Sequence, residues 1–203
     1  MHITGKNNVI KIIKDGEERP ELISELDGLQ ISINGNNNVI IIELPSNFQN
    51  SNIIMKGDCN HCHIKASKHR FVRKTIFWLE NGGIIHFGSK ISVIGKLEII
   101  SKKGKTIDIG DNCMFSKNIT IRNNDGHTIL DKDTNEVIND PKDIKIGNNV
   151  WVGAGCTFLK GAEVSDGSVV GAMSLVNKTF TESNVIIAGV PAKIIRKNII
   201  WQR

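Results

Sequence analysis

Ile146-Gly-Asn-Asn-Val-Trp151, Val152-Gly-Ala-Gly-Cys-Thr157, Phe158-Leu-Lys-Gly-Ala-Glu163, Val164-Ser-Asp-Gly-Ser-Val169, Val170-Gly-Ala-Met-Ser-Leu175 and Val176-Asn-Lys178 follow one another without a break. One large apolar residue opens each block and returns every sixth position. The fifth place of each full block holds a compact residue: Val150, Cys156, Ala162, Ser168 or Ser174. Gly147, Gly153 and Gly171 stand directly after three of the openers. A strand repeats every two residues and a helix every 3.6, so neither alone gives a period of six. A coil with one short strand and one turn per block does. The opener fills the interior, the compact residue packs beside it at a corner, and glycine is expected to supply the turn conformation.

Self-similarity at a fixed period marks a solenoid in which each turn buries its apolar face on the next. Working toward the N-terminus, Phe87, Val93 and Ile99 keep the spacing of six, Ser101–Lys105 interrupts it as a small insertion, and Ile109, Phe115 and Ile121 resume it. Arg122-Asn-Asn-Asp-Gly-His127 leads into a polar, aperiodic segment near 128–143. A structureless insertion of that length in a tight coil is more often functional than accidental. Further back, Gly-x-Asn-Asn-Val-Ile occurs at Gly5 and again at Gly35, which favours one continuous solenoid. A charged stretch near 15–28, with Pro20 placed like a helix start and Gly28 like a stop, reads as a shorter extruded loop. The expected organisation is a single all-β domain over 1–203, with irregular coils over 1–83, regular coils over 84–188 and a tail over 189–203. The apolar tail residues Ile199, Ile200 and Trp201 are expected to pack on a neighbouring subunit.

Two further stretches, Asn148-Asn-Val-Trp-Val-Gly153 and Ala188-Gly-Val-Pro-Ala-Lys-Ile-Ile-Arg196, resemble the signatures of acetyl-CoA-dependent sugar O-acetyltransferases of the hexapeptide-repeat family. The resemblance covers about residues 84–197 and is nearest to the polysaccharide and sialic acid O-acetyltransferases. It implies a left-handed parallel β-helix, a handedness that runs against the right-handed crossover rule and that the period alone does not give. It also implies a homotrimer with the catalytic histidine on one subunit and much of the coenzyme A contact on the next.

Acetyl transfer from a thioester to a sugar hydroxyl needs a base, an oxyanion donor and a held cofactor. His127 is the expected base. It stands at the root of the 128–143 loop, imidazole titrates near neutral pH, and the 24-residue interval to Trp151 is the family's own. Trp151 ends its block facing outward, where the family places a tryptophan as a wall of the acetyl-transfer site and an indole N–H donor. Gly153, Ala154 and Ala172 match small outward positions beside the pantetheine arm. Asn177 and Lys178 match a Thr-Lys turn, with Asn in place of Thr. Lys193 and Arg196 match a basic pair that meets the coenzyme A phosphates. Galactoside and maltose acetyltransferases carry an asparagine about thirty residues before the histidine. Val93-Ile-Gly-Lys-Leu97 fills that region here, so the oxyanion donor is unassigned and the reading moves from small free sugars toward polysaccharides.

The chain of 203 residues carries 26 basic and 21 acidic side chains, a net charge of +5. That is too diffuse for nucleic acid and fits an anionic cofactor or acidic glycan. Aromatics are 5% with no tyrosine, as an Ile/Val-filled interior gives. No apolar run reaches 18 residues and Met1-His-Ile-Thr-Gly5 is not a signal peptide, so a cytoplasmic protein without membrane insertion is expected. Cys113 and Cys156 take compact fifth places. Cys59-Asn-His61-Cys62-His63 has no second ligand pair at zinc spacing and reads as turns with reduced thiols, so no metal is expected. Lys68-His-Arg-Phe-Val-Arg-Lys74 is a basic run, ordinarily a solvated face. The rival readings are N-acetylation of an amino-sugar nucleotide, a metalloenzyme of the γ-carbonic anhydrase type (only His86 and His127 lie in the regular repeats) and a catalytically silent scaffold.

Overall fold

The computed structural model describes residues 1–203, the side chains of Ser24 and Glu25 excepted. The chain winds as a left-handed parallel β-helix, a three-sided prism of sheets with eight, nine and eight strands. One coil shows the route: Leu97–Lys102 in the first sheet, Thr106–Ile109 in the second, Met114–Phe115 in the third, then Ile119–Arg122 back in the first beside Leu97–Lys102. The edges between sheets are named here by the two faces they join.

All six openers from Ile146 to Val176 are buried, as are the five compact residues at the fifth places. The glycine reading is corrected. Gly147, Gly153 and Gly171 do not have left-handed backbones; a Cβ on Gly147 would lie 2.8 Å from the Asp166 nitrogen, and one on Gly153 2.6 Å from the Ala172 nitrogen. These glycines let successive coils stack closely. The left-handed turn falls at the fourth place instead, at Asn149, Gly155, Gly161, Gly167 and Met173.

Residues 1–83, expected to be irregular, form regular coils of a wider gauge. Here registered positions advance by 30 residues in the first coil, which carries the 15–28 stretch, and by 21 to 24 in those that follow, against 18 in the coils just after residue 146. First-sheet strands span six residues in Leu29–Asn34, Ser51–Lys56, Thr75–Glu80 and Leu97–Lys102, but two in Thr157–Phe158 and Leu175–Val176. The added residues fall at the first–second edge of every wide coil. Ser101–Lys105 is therefore no insertion: Ser101 pairs in register with Leu79, which pairs with Met55, which pairs with Ile33. The extra corner shifts the six-residue phase, which hides the repeat in the sequence.

Buried polar side chains close the wide corners, because a corner carries backbone groups no strand satisfies. Asn38 Oδ1 accepts from Asn60 N at 2.9 Å and Asn60 Nδ2 at 2.8 Å, and Asn60 Oδ1 accepts from Gly83 N at 3.0 Å. Farther along, Ile84 N and Asn123 Nδ2 donate to Ser101 Oγ, and Lys102 N donates to Asn123 Oδ1.

The stretch 15–28 holds a two-residue strand, Glu17–Glu18, and a short 3-10 helix, Pro20–Glu25, with Leu26 buried beneath. The tail does not leave the molecule. Ala192–Arg196 pairs antiparallel with Ile186–Gly189, and residues 199–203 fold back along the chain's own second–third edge. Among the described residues no helix is long and apolar enough to cross a membrane.

Candidate functional site

The gauge changes where the 128–143 segment leaves the helix, between Ile119–Arg122 and Ile144–Ile146. This segment is a small hairpin arm rather than a structureless loop. Leu130 and Val137 form an antiparallel bridge, Asp131 N donates to Glu136 O at 2.8 Å, and Ile138 N to Ile129 O at 3.0 Å.

The root of the arm is stitched by one side chain. Asn139 Nδ2 donates to His127 O at 2.8 Å and to Asp125 Oδ2 at 3.0 Å, while Asn139 Oδ1 accepts from Ile129 N at 2.7 Å. From the first tight corner, Lys160 Nζ reaches Asp125 Oδ2 and, at 2.9 Å, Asn139 O. Lys160, ahead of Asn139, holds the Asp125 carboxyl below its ordinary range. On the other side, Asn124 Oδ1 accepts from Gly126 N at 3.0 Å, and Asn124 Nδ2 donates to Asn123 at 3.2 Å. The polar series of the wide corners thus runs directly to the residue before His127.

His127 is exposed and lines a cleft of about 90 Å³ with Glu80, Lys102, Asn124, Asp125 and Asn139. Glu80 pairs with Lys102 at 2.7 Å, which lowers its pKa. Asn139 and Lys160 escape a reading of the sequence. Asn139 lies in an aperiodic segment, and Lys160 takes an outward place in its block that any solvated residue could fill.

The other expected site residues lie elsewhere on the prism. Trp151 opens the third-sheet strand Trp151–Val152 and is 39% exposed. Its ring centroid is 6.1 Å from that of Trp201, whose Nε1 donates to Asn149 O at 2.8 Å. Gly153 with Ala154 and Gly171 with Ala172 stack on successive coils at the third–first edge, and Met173 N donates to Ala154 O at 2.8 Å. Their short side chains leave a smooth backbone edge. Asn177 and Lys178 occupy the same first–second edge as His127, two coils on. Lys178 and Lys193 line one concavity with Thr179, Phe180 and Glu182, and Lys178 Nζ lies 5.3 Å over the Phe180 ring. Arg196, at the far end of Ala192–Arg196, is exposed and outside that lining. Within one chain, then, His127 and Lys178 share an edge, whereas Trp151 and the Gly153–Ala154–Ala172 corner sit on others.

The cysteine–histidine stretch does not gather into a ligand set. Cys59 is exposed, Cys62 is buried with its thiol pKa pushed up by burial, and His63 Nε2 is 2.8 Å from Glu43. His61 is lowered by desolvation first and then by His86 and His63. Among the described residues no three His, Cys, Asp or Glu side chains form a group that would hold a metal ion. Cys113 and Cys156 are buried, and burial pushes the Cys113 thiol up to about 12.

With this geometry in place, known proteins similar to the chain are informative. The bacterial transferase hexapeptide family, with six repeats, matches residues 143–178. The polysialic acid O-acetyltransferase of Neisseria meningitidis is 36% identical over 208 residues, 98% of this chain and 87% of its own. The solved structure of the polySia-specific acetyltransferase NeuO superposes with a TM-score of 0.84 at 31% identity, over 100% of this chain and 88% of that one. The polysialic acid O-acetyltransferase OatWY gives 0.67 at 28%, over 100% and 90%. A repeat whose interior is filled as the family's period demands, and a match running through nearly the whole of both chains, make this protein a member of the hexapeptide-repeat acetyltransferases, an O-acetyltransferase.

Proposed function

We propose that the protein moves an acetyl group from acetyl-CoA to a hydroxyl of a carboxylate-bearing bacterial polysaccharide of the polysialic acid kind, as a homotrimer with sites between subunits. The observation that carries this reading is the near full-length likeness to polysialic acid O-acetyltransferases. Four features of the chain support it. His127 sits at the lip of a cleft with its backbone fixed by the Asn139 amide, and the Asn139 backbone carbonyl is held from the next coil by Lys160. Lys178 and Lys193 converge on one concavity at the tight end, suited to the coenzyme A phosphates. Trp151 and the small-residue corner lie on different edges from His127, as parts of a site completed by a second copy. Ile129, Leu130, Val137 and Ile138 are about half exposed on the arm, apolar surface that a neighbouring subunit would cover.

In the reaction, His127 takes the proton of the sugar hydroxyl as its oxygen attacks the thioester carbonyl. The tetrahedral adduct collapses with loss of the coenzyme A thiolate, and the imidazolium returns the proton to that sulfur. Trp151 walls the site. Gly153, Ala154 and Ala172 offer the flat edge along which the pantetheine arm lies, and Asn177, Lys178, Lys193 and Arg196 meet its polar end.

The test is product analysis with labelled acetyl-CoA and polysialic acid. The expected product is an alkali-labile ester on the polymer. Label that survives mild base, as an amide does, would assign the protein to N-acetylation, and no acetyl-CoA turnover on any glycan would leave it a scaffold.

A further inference from the structure

The closing residues 199–203 follow a path the proposed reaction does not use. They climb the second–third edge coil by coil toward the N-terminus. Ile199 N donates to Asn184 O at 2.9 Å, Trp201 Nε1 to Asn149 O at 2.8 Å, and the Arg203 guanidinium to Asn112 O at 3.2 Å and Cys113 O at 2.7 Å. Two effects follow. Trp201 is set against Trp151, and Arg203 reaches the coil beyond.

The edge goes on in cations past that point. Asn112 N donates to Ser89 O and Lys90 N to Ala66 O, so Lys90 and then Ala66-Ser67-Lys68 stand next along the same edge. Arg70 N closes the corner onto Ser67 O at 3.1 Å. Lys68, Arg70 and Lys90 are exposed, and among the described residues neither they nor Arg203 has a carboxylate partner. The nearby Asp111 accepts from Ser89 N at 2.7 Å and lies 3.8 Å from Lys65. The Arg203 pKa is lowered by desolvation first and then by the positive charge of Arg70, with Cys113 acting in the opposite sense.

Lys90 adds an independent sign. It occupies the left-handed fourth place of its block, with φ of 55°, where the coils beneath use Asn112, Asn149 and Gly167. A lysine is disfavoured there relative to Asn or Gly, and its side chain carries a charge those residues lack.

We infer that this edge is a binding track for the acidic polysaccharide acceptor: Trp151 and Trp201 form its aromatic base, and Arg203, Lys90, Arg70 and Lys68 meet carboxylates of residues beyond the one acetylated. The inference rests on the acceptor class proposed above and adds the subsite that favours polymer over monomer. Successive coils are spaced at about 4.8 Å, so the cations present a regular row to a repeating anion. Single exposed ion pairs are weak, and the track acts through several at once. Such binding weakens as salt rises, because neutralising a polyanion releases its counterions.

The experiment measures binding of long polysialic acid, sialic acid monomer and dextran to the full chain without acetyl-CoA, alongside KM for polymer and monomer acceptors. Wild type should bind the long acidic chain in a salt-sensitive way and dextran not at all. The Arg70→Ser/Arg203→Ser double variant should bind it about tenfold more weakly, with polymer KM raised to match and the KM values for monomer and acetyl-CoA unchanged. Lys90→Asn, which installs the residue its neighbours use, should weaken polymer binding by about threefold and guards against a folding artefact in the double variant. Failure of polysialic acid to bind, equal binding of dextran, or variants with unchanged polymer binding and KM would overturn the track. Charge-dependent binding without acetyl transfer would instead leave the track standing and remove the proposed reaction.

Discussion

The two halves of the helix differ in gauge and in how they are held. In the wide half, six-residue strands and a broadened first–second corner enclose Ile and Phe, with Phe77 and Phe87 edge to face at 5.2 Å, and buried Asn38, Asn60, Ser101 and Asn123 satisfy the corner backbone. In the tight half, two-residue strands alternate with four-residue turns, and the corner is closed by glycine and by compact side chains such as Ala162, Ser168 and Ser174. His127 sits where one becomes the other. A change of gauge breaks the continuous edge, and the arm 128–143, stitched by Asn139 and Lys160, occupies the break. A solenoid of uniform gauge has no obvious place for a cleft; a step supplies one.

If the wide half depends on its polar corner, Asn60→Ala should be the most damaging single change. It leaves the buried Gly83 N without its acceptor and removes the amide bond to Asn38 Oδ1, while Lys56 O and Gly57 O keep bonds from Asn81 N and Asn38 Nδ2. At about 1–3 kcal/mol for a buried group left unpaired, with one further hydrogen bond lost, the loss is about 2–3 kcal/mol. Ser168→Ala in the tight half, where the hydroxyl makes only 3.4 Å contacts, should cost about 1 kcal/mol or less. Equal losses in denaturant unfolding would break the contrast.

At the step, His127→Ala should lower kcat at least about a hundredfold with an unchanged unfolding midpoint, since the side chain is exposed. A folded variant that keeps most of its kcat would place the base elsewhere. Lys160→Met removes the contact from the tight side. It should cost about tenfold in kcat with little change in acetyl-CoA KM, and Lys160→Arg should recover part of the loss. At the tight end, Lys178→Ala should raise acetyl-CoA KM about fivefold and leave kcat largely intact. A fall in kcat at constant KM would argue against phosphate binding there.

The smallest effect is acid release of the arm. Lys160 depresses the Asp125 pKa, so this ion pair contributes stability above the unfolded carboxyl value, about 3.9, and loses it as pH falls through the lower folded value. Protease cleavage within 128–143 should stay constant from neutral pH to about pH 4 and rise below it. Asp125→Asn should show the faster cleavage already at neutral pH.

The sequence by itself determined the tight half. An opener every six residues has one economical solution, and Ile146, Val152, Phe158, Val164, Val170 and Val176 all point inward as that solution requires. His127 at the root of the 128–143 segment and the outward Trp151 were legible from spacing and family likeness. The wide half was not legible, because a corner longer by a few residues resets the phase at each turn and leaves Asn and Ser where a six-residue reading expects apolar or turn residues. Only the tertiary structure decided which edge each group occupies. Asn139, Lys160 and Asp125 are far apart in the chain and meet because stacking brings successive corners within hydrogen-bond reach. The tail residues Trp201 and Arg203 find carbonyls 52 and 90 residues away on their own coils. Such contacts depend on the coil register, and the register follows from corner lengths that have no signature of their own in the repeat.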